Sequence, residues 1–409
     1  MQYVIIGNGI AGVSAAEAIR RIDPDGPITM IGDETGPPYC RPMISMVLEG
    51  RIGPERLPVR GRDFYDRLGI MPVLGRRATA IDVDRRQVCI GERRCAYDRL
   101  LIAAGADPRP IRAEASNLGN IFFMRRREDV HGIHHALDAG VRRALVLGGG
   151  LVGFKAAYGL IQQGIPTTML IGSAYPLSMQ VDARAGAMIR EALVARGLDV
   201  RVNLEVRAFD GNGAVRQAHL SDGSHLDCDL VVVGKGVLPA RSFIPAERIA
   251  VDLGVVVDDH MQTCVPGVFA AGDVAQFVDI ARQTPWVNAI WPEAVNTGRI
   301  AGFNMAGRPV ACPGTLSRNV IRIFDLDVMT AGLVNPPEDG TCQILQAEDH
   351  RRRTYRKLVL RGGRLVGMAM VGRIEQGGVL TALIGSRTAV RGNPERLLDA
   401  HFNAGRLVS

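Results

Sequence analysis

The sequence of 409 residues is poor in lysine, in aromatic residues and in concentrated charge. Three of its 49 basic residues are lysines, aromatic residues make up 5% of the chain, and the net charge of +7 is spread along its length. Nucleic-acid binding usually requires a basic stripe with interleaved aromatic side chains, and the sequence contains no such stripe. We therefore expect no nucleic acid among the partners.

Long hydrophobic runs are also missing. No window holds the roughly 18 uninterrupted apolar residues that a membrane-spanning helix needs, and a strand-like segment begins almost at Met1, which leaves no room for a signal peptide. The apolar fraction of 47% still provides core for two or three domains and excludes a disordered chain. These features predict a globular cytoplasmic protein of enzyme size without a membrane span.

The seven cysteines form no recognisable framework. Their number is odd, they show no CxxC spacing, and they are scattered over Cys40, Cys89, Cys95, Cys228, Cys264, Cys312 and Cys342. Metal sites and disulfide scaffolds both require closer and more regular spacing. We predict reduced thiols and no metal site.

A glycine-rich turn joins a strand to a helix near the start of the chain. The strand Tyr3–Ile6 runs into a GxGxxG turn, and a helical pattern then continues to about Ile22. Gly7 permits the tight turn, Gly9 lets the backbone approach a pyrophosphate, and Gly12 lets the helix pack on the strand. The helix N-terminus offers free N–H groups and the positive end of the helix dipole to phosphates.

An acidic pair follows the next strand, at the distance expected for a dinucleotide site. Asp33 and Glu34 come just after the strand Ile28–Ile31, where a carboxylate can bind ribose hydroxyls. The alternative is a glycine-rich turn without a ligand. The combination of strand, turn, helix and acid favours the dinucleotide site.

The same arrangement recurs about 140 residues later. The strand Ala144–Leu147 leads into a second glycine turn, a helix runs to about Gln163, and the next strand is Thr167–Ile171. The nucleotide-contacting positions of this turn are Gly148, Gly150, Leu151, Val152 and Gly153. Two such units suggest two dinucleotides and hydride transfer between them. No acid stands in the stretch from Gly172 to Ala174, so the ligand of this unit is less well defined than its fold.

A third stretch, Thr263–Ala275, joins a turn, a short buried strand and an Asp that follows a Gly at the end of the strand. Asp273 would lie beside the sugar-alcohol chain of a flavin and accept a hydroxyl hydrogen bond. The alternative is an aspartate that caps the following turn.

In these motifs the chain resembles the FAD-dependent pyridine nucleotide oxidoreductases of the glutathione-reductase fold. Within them it is similar to the branch of NADH:rubredoxin reductases, ferredoxin reductases of oxygenase systems and the flavin portion of the nitrite reductase large subunit. The segments that carry the resemblance are Gly7–Gly12, Pro38–Ser45, Tyr97–Ala106, Gly148–Gly153, Cys228–Pro239, Gly267–Ala275, Trp291–Ala294 and Tyr355–Gly372. The resemblance covers essentially the whole chain.

The resemblance implies an α/β fold with two Rossmann-like dinucleotide-binding domains and a C-terminal α+β domain. The FAD domain would be discontinuous, with residues 1–112 and 242–308, the NAD(P)-type domain would span residues 113–241, and the C-terminal domain residues 309–409. The implied FAD contacts are Gly7, Gly9 and Gly12 at the pyrophosphate, Asp33 or Glu34 at the ribose, Arg41 and Pro42 at the flavin edge, Ala78 at the adenine, Ala103, Ala104 and Gly105 along the cofactor, Asp273 at the ribityl chain, and Trp291 and Pro292 at the flavin pyrimidine.

The chain departs from the family at two positions whose charged side chains usually lie near the flavin. Ferredoxin-reductase-like members usually have Lys after the Ser of the RPxxS segment and Glu two residues after the second glycine turn, and this chain has Met46 and Lys155 there. Lys235, with Gly236, falls in the loop that borders the nicotinamide site in the family. Two lysines in one cleft suggest a more anionic donor than NADH, most plausibly NADPH, or a Lys155 that stabilises reduced flavin. The alternative is a Lys155 that pairs with a local carboxylate or extends to solvent.

The cysteines limit the chemistry further. Disulfide reductases of this fold carry a CxxxxC pair, and this region contains only Cys40, which is either a single redox thiol or a small buried residue.

The resulting prediction is a FAD-dependent oxidoreductase that passes electrons from NAD(P)H to a protein or small acceptor. The main alternative is a FAD subunit of a larger redox complex whose NAD(P)-type domain no longer binds nucleotide; a flavoprotein used for sensing is a third. We expect an electron-carrier protein or a redox partner subunit, and an oligomer or complex. The clusters Arg125–Arg127 and Arg351–Arg353 either steer an acidic carrier or form solvated faces.

Overall fold

The computed structural model describes residues 1–399, 401–403 and 405 of the chain. Its α-helices, in chain order, are α1 (Ile10–Arg20), α2 (Ile44–Leu48), α3 (Phe64–Arg67), α4 (Arg127–Asp138), α5 (Leu151–Gln162), α6 (Ala183–Val194), α7 (Trp291–Met305) and α8 (Gly377–Ser386). Short 3-10 helices occupy Arg41–Met43, Pro54–Arg56, Gly272–Val274 and Pro394–Leu398. No helix within the described part of the chain combines the length and the hydropathy needed to cross a membrane.

The strands alternate with helices in the first part of the chain and dominate its last part. In chain order they are β1 (Tyr3–Ile6), β2 (Ile28–Ile31), β3 (Ile70–Val73), β4 (Ala80–Asp82), β5 (Gln87–Ile90), β6 (Arg93–Ala96), β7 (Arg99–Ile102), β8 (Ala106–Pro108), β9 (Ile121–Phe123), β10 (Ala144–Leu147), β11 (Thr167–Ile171), β12 (Asp199–Val202), β13 (Val206–Asn212), β14 (Ala214–Leu220), β15 (His225–Asp227), β16 (Leu230–Val233), β17 (Val237–Pro239), β18 (Val255–Val256), β19 (Val268–Ala270), β20 (Ala275–Asp279), β21 (Thr284–Trp286), β22 (Arg318–Ile323), β23 (Leu326–Gly332), β24 (Gln343–Asp349), β25 (Thr354–Arg361) and β26 (Arg364–Val371).

The chain divides into two compact units, and each is discontinuous in sequence. The first unit comprises Met1–Cys40, Leu57–Asp107 and Leu238–Ser317, and the second comprises Arg41–Arg56, Pro108–Val237 and the chain from Arg318 onward. The segment Arg41–Arg56 therefore belongs to the second unit although its sequence neighbours on both sides belong to the first.

The first unit is built on a parallel sheet with the strand order β19-β7-β1-β2-β3. Strand β1 lies at its centre, where Tyr3 pairs with Ile28 on one side and Arg99 on the other. Strands β1 and β2 are buried along their whole length, as expected for apolar parallel strands covered on both faces. Because the carboxyl end of β1 lies mid-sheet, the first glycine turn opens there.

Helices α1 and α7 of the first unit pack with their backbones in close contact. A Cβ atom on Gly298 or Gly302 of α7 would run into the backbone carbonyl of Ala11 or Ala15 of α1. Only glycine allows this approach, because any side chain would force the helices apart. The packing fixes α1, and with it the glycine turn, against the body of the unit.

The second unit contains a second parallel sheet with the order β12-β11-β10-β16-β9. Its strand β10 pairs with β11 and β16, so that Ala144 lies between Thr167 and Leu230. The later part of the chain forms an antiparallel sheet with the order β22-β23-β26-β25-β24, on which α8 packs against β23 and β26. Smaller antiparallel or mixed ladders are β13-β14-β15 in this unit and, in the first unit, β4-β5-β6 and β18-β20-β21.

The predicted fold class is confirmed. Each parallel sheet is entered by a strand, a glycine turn and a helix. The first sheet takes its strand β19 from a segment far from its other strands, and a β-rich C-terminal sheet with one helix completes the α+β part. Helix α1 ends at Arg20 where the sequence indicated about Ile22, and α5 ends at Gln162 where it indicated about Gln163.

Candidate functional site

The first glycine turn fits a bound phosphate group because of where its glycines leave room. Gly7 has a φ of +126°, and a Cβ there would run into the carbonyl of Ala103; a Cβ on Gly12 would run into the carbonyl of Gly7. At Gly9, by contrast, no atom of the described residues other than its two chain neighbours lies within 4 Å of a built Cβ. Gly7 and Gly12 therefore serve the packing of the turn, and Gly9 borders open space.

Helix α1 presents its N-terminus to that open space. Gly9 is the N-cap, no side chain in the described ranges caps it, and the first intrahelical hydrogen bond runs from Val13 N–H to the Gly9 carbonyl at 3.0 Å. The N–H groups before Val13 have no partner within the helix, and they carry the positive end of the helix dipole. This arrangement binds anions such as a pyrophosphate.

The turn is held to the segment that follows β2. Tyr65 donates a hydrogen bond to Asn8 Oδ1 at 3.0 Å, and Asn8 Nδ2 donates to the Gly36 carbonyl at 3.2 Å. Burial raises the pKa of Tyr65, so that its hydroxyl stays protonated and remains a donor. In the same segment Tyr39 donates to Glu34 Oε2 at 2.7 Å, while Asp33 is exposed. Both acids of the predicted pair thus lie beyond β2, and Glu34 is oriented by Tyr39.

The remaining first-unit candidates lie around α1, β7 and α7. Ala78 and Ala103 are buried, Ala104 is partly buried, and Gly105 has a φ of +71°. Asp273 is half-buried in the 3-10 turn after β19, whose Gly272 N–H donates to Thr297 Oγ1 of α7 at 3.0 Å.

Helix α7 offers a second uncapped N-terminus in the first unit. It begins at Trp291 after the N-cap Ile290, Pro292 stands in its first turn, and no described side chain caps it. Proline suits this position because its missing N–H needs no partner there. A helix N-terminus of this kind is able to stabilise negative charge.

Arg41, Pro42 and Lys155 come together in the second unit. Lys155 Nζ donates to the Pro42 carbonyl at 3.4 Å, and Arg41 Nη1 donates to the Arg125 carbonyl at 2.7 Å. Lys155 is half-buried on α5, two residues after the last glycine of the second turn. The lysine thus lies beside the segment that the resemblance put at the flavin edge.

The second glycine turn repeats the geometry of the first. Gly148 has a φ of +110°, and a Cβ there would lie 2.5 Å from the Gly234 carbonyl; a Cβ on Gly153 would run into the carbonyl of Gly148. At Gly150 the nearest atom among the described residues is the Gly234 carbonyl oxygen, 3.9 Å away. Helix α5 begins at Leu151, followed by Val152, without a capping side chain in the described part of the chain. The second turn therefore has the same fit to a phosphate group.

Lys235 forms an ion pair with a carboxylate that the sequence pattern does not indicate. Its Nζ lies 3.1 Å from Glu205 Oε1, and its side chain is 24% exposed. The neighbouring Gly236 has a φ of +88°, and its carbonyl accepts a hydrogen bond from Arg109 N–H at 3.0 Å. No sequence signal joined Glu205 to this loop, because 30 residues separate the two side chains. The positive charge expected from Lys235 is balanced locally.

The third lysine belongs to a carboxylate network of four residues in the second unit, in which Lys357 and Tyr355 are buried, Asp182 is half-buried and Gln346 is exposed. Lys357 Nζ lies 3.2 Å from Asp182 Oδ2, Tyr355 donates to the same oxygen at 2.7 Å, and Gln346 Nε2 donates to it at 3.3 Å. Burial acts to raise the pKa of Asp182, but the hydrogen bonds from Tyr355 and Ala185 N–H and the charge of Lys357 hold it below its ordinary value. The network joins the N-terminus of α6 to β24 and β25.

All seven cysteines are free thiols. Cys40 is half-buried and its N–H donates to the Leu57 carbonyl at 2.8 Å. Burial raises the pKa of Cys228 to about 12, which keeps that thiol protonated and unreactive.

Comparison with known proteins gives matches along the chain. Residues 1–298 match the family described as pyridine nucleotide-disulphide oxidoreductase, and residues 318–388 match the rubredoxin NAD+ reductase C-terminal domain. The epsilon subunit of the NADH-dependent phenylglyoxylate dehydrogenase of Aromatoleum evansii is 30% identical over 412 residues, covering 100% of this chain and 97% of that protein.

Two further similarities complete the comparison. The assimilatory nitrate reductase electron transfer subunit of Bacillus subtilis is 27% identical over 91% of this chain, which spans only 47% of that longer protein. Among solved structures, the covalent complex of putidaredoxin reductase with putidaredoxin superposes with a TM-score of 0.87 at 28% identity, covering 95% of this chain and 94% of that one.

Proposed function

Because the chain belongs to the pyridine nucleotide-disulphide oxidoreductase family and contains the rubredoxin NAD+ reductase C-terminal domain, we propose that its first glycine turn holds FAD and its second holds NAD(P)H. One observation carries this proposal: each turn leaves room at its middle glycine, Gly9 or Gly150, in front of an uncapped helix N-terminus. Two such anion sites suit two dinucleotides.

The family and the general activity predicted from the sequence are confirmed. The chain is a FAD-dependent oxidoreductase that takes electrons from NAD(P)H and delivers them to an acceptor. Bound FAD supplies the hydride-accepting and electron-donating chemistry that amino-acid side chains lack.

We assign the binding of FAD mainly to the first unit. The N–H groups at Gly9 and at the start of α1 would bind the pyrophosphate, and Glu34 or Asp33 would bind the ribose. Tyr39 supports Glu34 in this role, because its hydroxyl donates to one carboxylate oxygen and so fixes the orientation of the carboxylate. Asp273 would accept a hydroxyl hydrogen bond from the ribityl chain.

The uncapped N-terminus of α7 would stabilise negative charge at the flavin pyrimidine. Helix N-termini contribute about 0.3–1 kcal/mol to a nearby anion. Trp291 and Pro292 set the start of this helix, and the buried Glu293 follows in its first turn. On this proposal the helix orients and stabilises and does not itself transfer a proton.

Rapid mixing tests the proposed function. The oxidised holoprotein is mixed separately with NADH and with NADPH while the flavin absorbance is followed. Prompt bleaching by either nucleotide is the expected result. Absence of bleaching by both, in protein with full flavin content, would contradict the assignment of the second turn.

A second candidate function is that of an electron-transfer subunit in a larger redox complex. The similarity over the whole chain to a subunit named epsilon of a phenylglyoxylate dehydrogenase favours this alternative. In that case the isolated chain would bleach slowly or not at all with nucleotide, and bleaching would become prompt with the co-purified partner.

For the acceptor we propose an acidic electron-carrier protein or a redox partner subunit. Arg351, Arg352 and Arg353 are exposed between β24 and β25, whereas Arg125–Arg127 are half-buried. An exposed basic cluster steers an acidic carrier more strongly at low salt. Electron transfer that is insensitive to salt would argue against docking at this cluster.

We further propose the predicted three-domain division and a cytoplasmic location. The first parallel sheet lies within residues 1–112 and 242–308, the second within 113–241, and the last antiparallel sheet within 309–409. The seven free thiols support a reducing compartment.

A further inference from the structure

The carboxyl ends of three neighbouring parallel strands meet at one edge of the second unit's sheet. Gly148 follows β10, Gly172 follows β11 and Gly234 follows β16. Ligands of open parallel sheets bind at this edge, beside the strand that carries the glycine turn. Any charged group here lies within reach of a nucleotide on the second turn.

Glu205 reaches this edge from a later part of the chain. After β12 the backbone returns to β11, where Leu204 N–H donates to the Ile171 carbonyl at 3.2 Å. Glu205 then exchanges two hydrogen bonds with Ser221, from its own N–H to Oγ at 3.2 Å and from Ser221 N–H to its carbonyl at 2.8 Å. The backbone of Glu205 is therefore fixed.

The side chain of Glu205 lies over Gly172. A Cβ built on Gly172 would be 2.9 Å from Glu205 Oε1, so the glycine leaves the room that the carboxylate takes. Lys235 Nζ holds the same oxygen at 3.1 Å, and the Lys235 backbone nitrogen lies 3.2 Å from a Cβ built on Gly148. The Glu205 carboxylate, Lys235 and the second glycine turn thus lie next to one another. The Glu205 side chain is 57% exposed and therefore accessible to a ligand.

Dinucleotide folds use an acid after the second strand to accept hydrogen bonds from the ribose hydroxyls, and that acid repels a 2′-phosphate. The stretch from Gly172 to Ala174 has no such acid. We infer that Glu205, positioned by Lys235, supplies the missing carboxylate from another segment and makes NADH the preferred donor over NADPH. The inference rests on the proposed function, because it requires a nucleotide on the second turn.

The charge at this edge differs from what the lysines alone suggested. The sequence pattern placed Lys155 and Lys235 in one cleft without an acid and favoured a more anionic donor than NADH. Lys235 is paired, so it does not offer an unshared positive charge to a 2′-phosphate. The carboxylate over Gly172 instead places negative charge at the position of the ribose-binding acid.

Direct binding tests the inference without relying on turnover. Isothermal calorimetry on the oxidised holoprotein measures ADP-ribose and 2′-phospho-ADP-ribose, which differ only in the 2′-phosphate. The native protein should bind ADP-ribose at least about tenfold more tightly. Since hydrogen bonds to a charged group contribute about 1.5–3 kcal/mol, Glu205→Gln should lower this preference by roughly 10- to 100-fold.

Two controls separate recognition from folding. Glu191→Gln removes an exposed carboxylate from α6 and should leave the preference unchanged. Lys235→Met should reduce the preference for ADP-ribose, because it removes the ion-pair partner that positions Glu205. Lys235→Arg should restore that preference. Flavin content and the thermal midpoint of each variant show that the fold is retained.

The outcomes distinguish this inference from the proposed function. A Glu205→Gln variant that binds both ligands with the native preference overturns the inference and leaves the proposed function standing. A native protein that prefers 2′-phospho-ADP-ribose also overturns the inference alone. A native protein that binds neither ligand and is not bleached by NADH or NADPH overturns both.

Discussion

The two glycine turns have the same backbone geometry but obtain their charged groups in different ways. The first turn is followed by Asp33 and Glu34 within the same strand–turn–helix unit, and Tyr39, five residues further along, orients Glu34. Near the second turn Glu205 and Lys235 come from separate segments and meet in space. Local sequence thus encodes the anion-binding backbone, whereas long-range packing determines the charge around it.

Among the side-chain pairs that distant segments bring together, the carboxylate network around Asp182 should have the largest effect on stability. Lys357→Met leaves the Asp182 carboxylate without its ion-pair partner and should lower the free energy of unfolding by about 3 kcal/mol, because breaking a buried pair leaves an uncompensated charge. Lys235→Met, at the exposed pair, should cost under about 1 kcal/mol. Urea unfolding of the two variants makes the comparison, and equal losses would contradict it.

Glycine substitutions test whether the two turns are equivalent. Gly12→Ala and Gly153→Ala each place a Cβ against a backbone carbonyl of the turn and should each lower the free energy of unfolding by about 2 kcal/mol. Gly9→Ala and Gly150→Ala meet open space, so they should leave stability nearly unchanged while weakening FAD and NAD(P)H binding, respectively. Thermal unfolding and flavin retention are the measurements. A stable Gly12→Ala protein with full flavin would refute the packing argument.

Lys155→Met tests the prediction that Lys155 stabilises reduced flavin. Lys155→Met removes a cation beside the Pro42 carbonyl and should make the flavin midpoint potential about 20 mV more negative, or about 1 kcal/mol for a two-electron couple. Lys155→Arg, which keeps the charge, is the matched control. If potential and NAD(P)H kinetics are both unchanged in the methionine variant, Lys155 has no electrostatic role at the flavin.

Acidification should remove the contribution of the carboxylate network around Asp182 to stability. The pKa of Asp182 is lowered in the folded state, so its contribution to stability is present above its unfolded value of about 3.9 and is lost as the pH falls through the lower folded value. Asp182→Asn should therefore lose less stability than the native protein between pH 5 and pH 3. Parallel slopes of the unfolding free energy against pH would exclude this carboxylate as the source.

The sequence was sufficient to predict the parallel sheets, the glycine turns and, to within two residues, the ends of α1 and α5, because these depend on short-range patterns. It did not reveal that Glu205 lies over Gly172, since the 32 residues between them form helix α6, strand β12 and their connections and carry no motif. Nor did it reveal the partner of Lys357, which lies 175 residues away at Asp182. Side-chain pairs of this kind follow from the assembled sheets.

The discontinuity of the first unit affects how the chain emerges from the ribosome. Strand β7 ends at Ile102, yet its neighbour β19 begins only at Val268. At a synthesis rate of 5–20 residues per second, the edge of β7 stays without this partner strand for on the order of 10 to 30 s. The second parallel sheet, by contrast, is complete within one continuous stretch, from β9 to β16. During synthesis the first sheet is therefore the one whose unpaired edge is open to wrong partners.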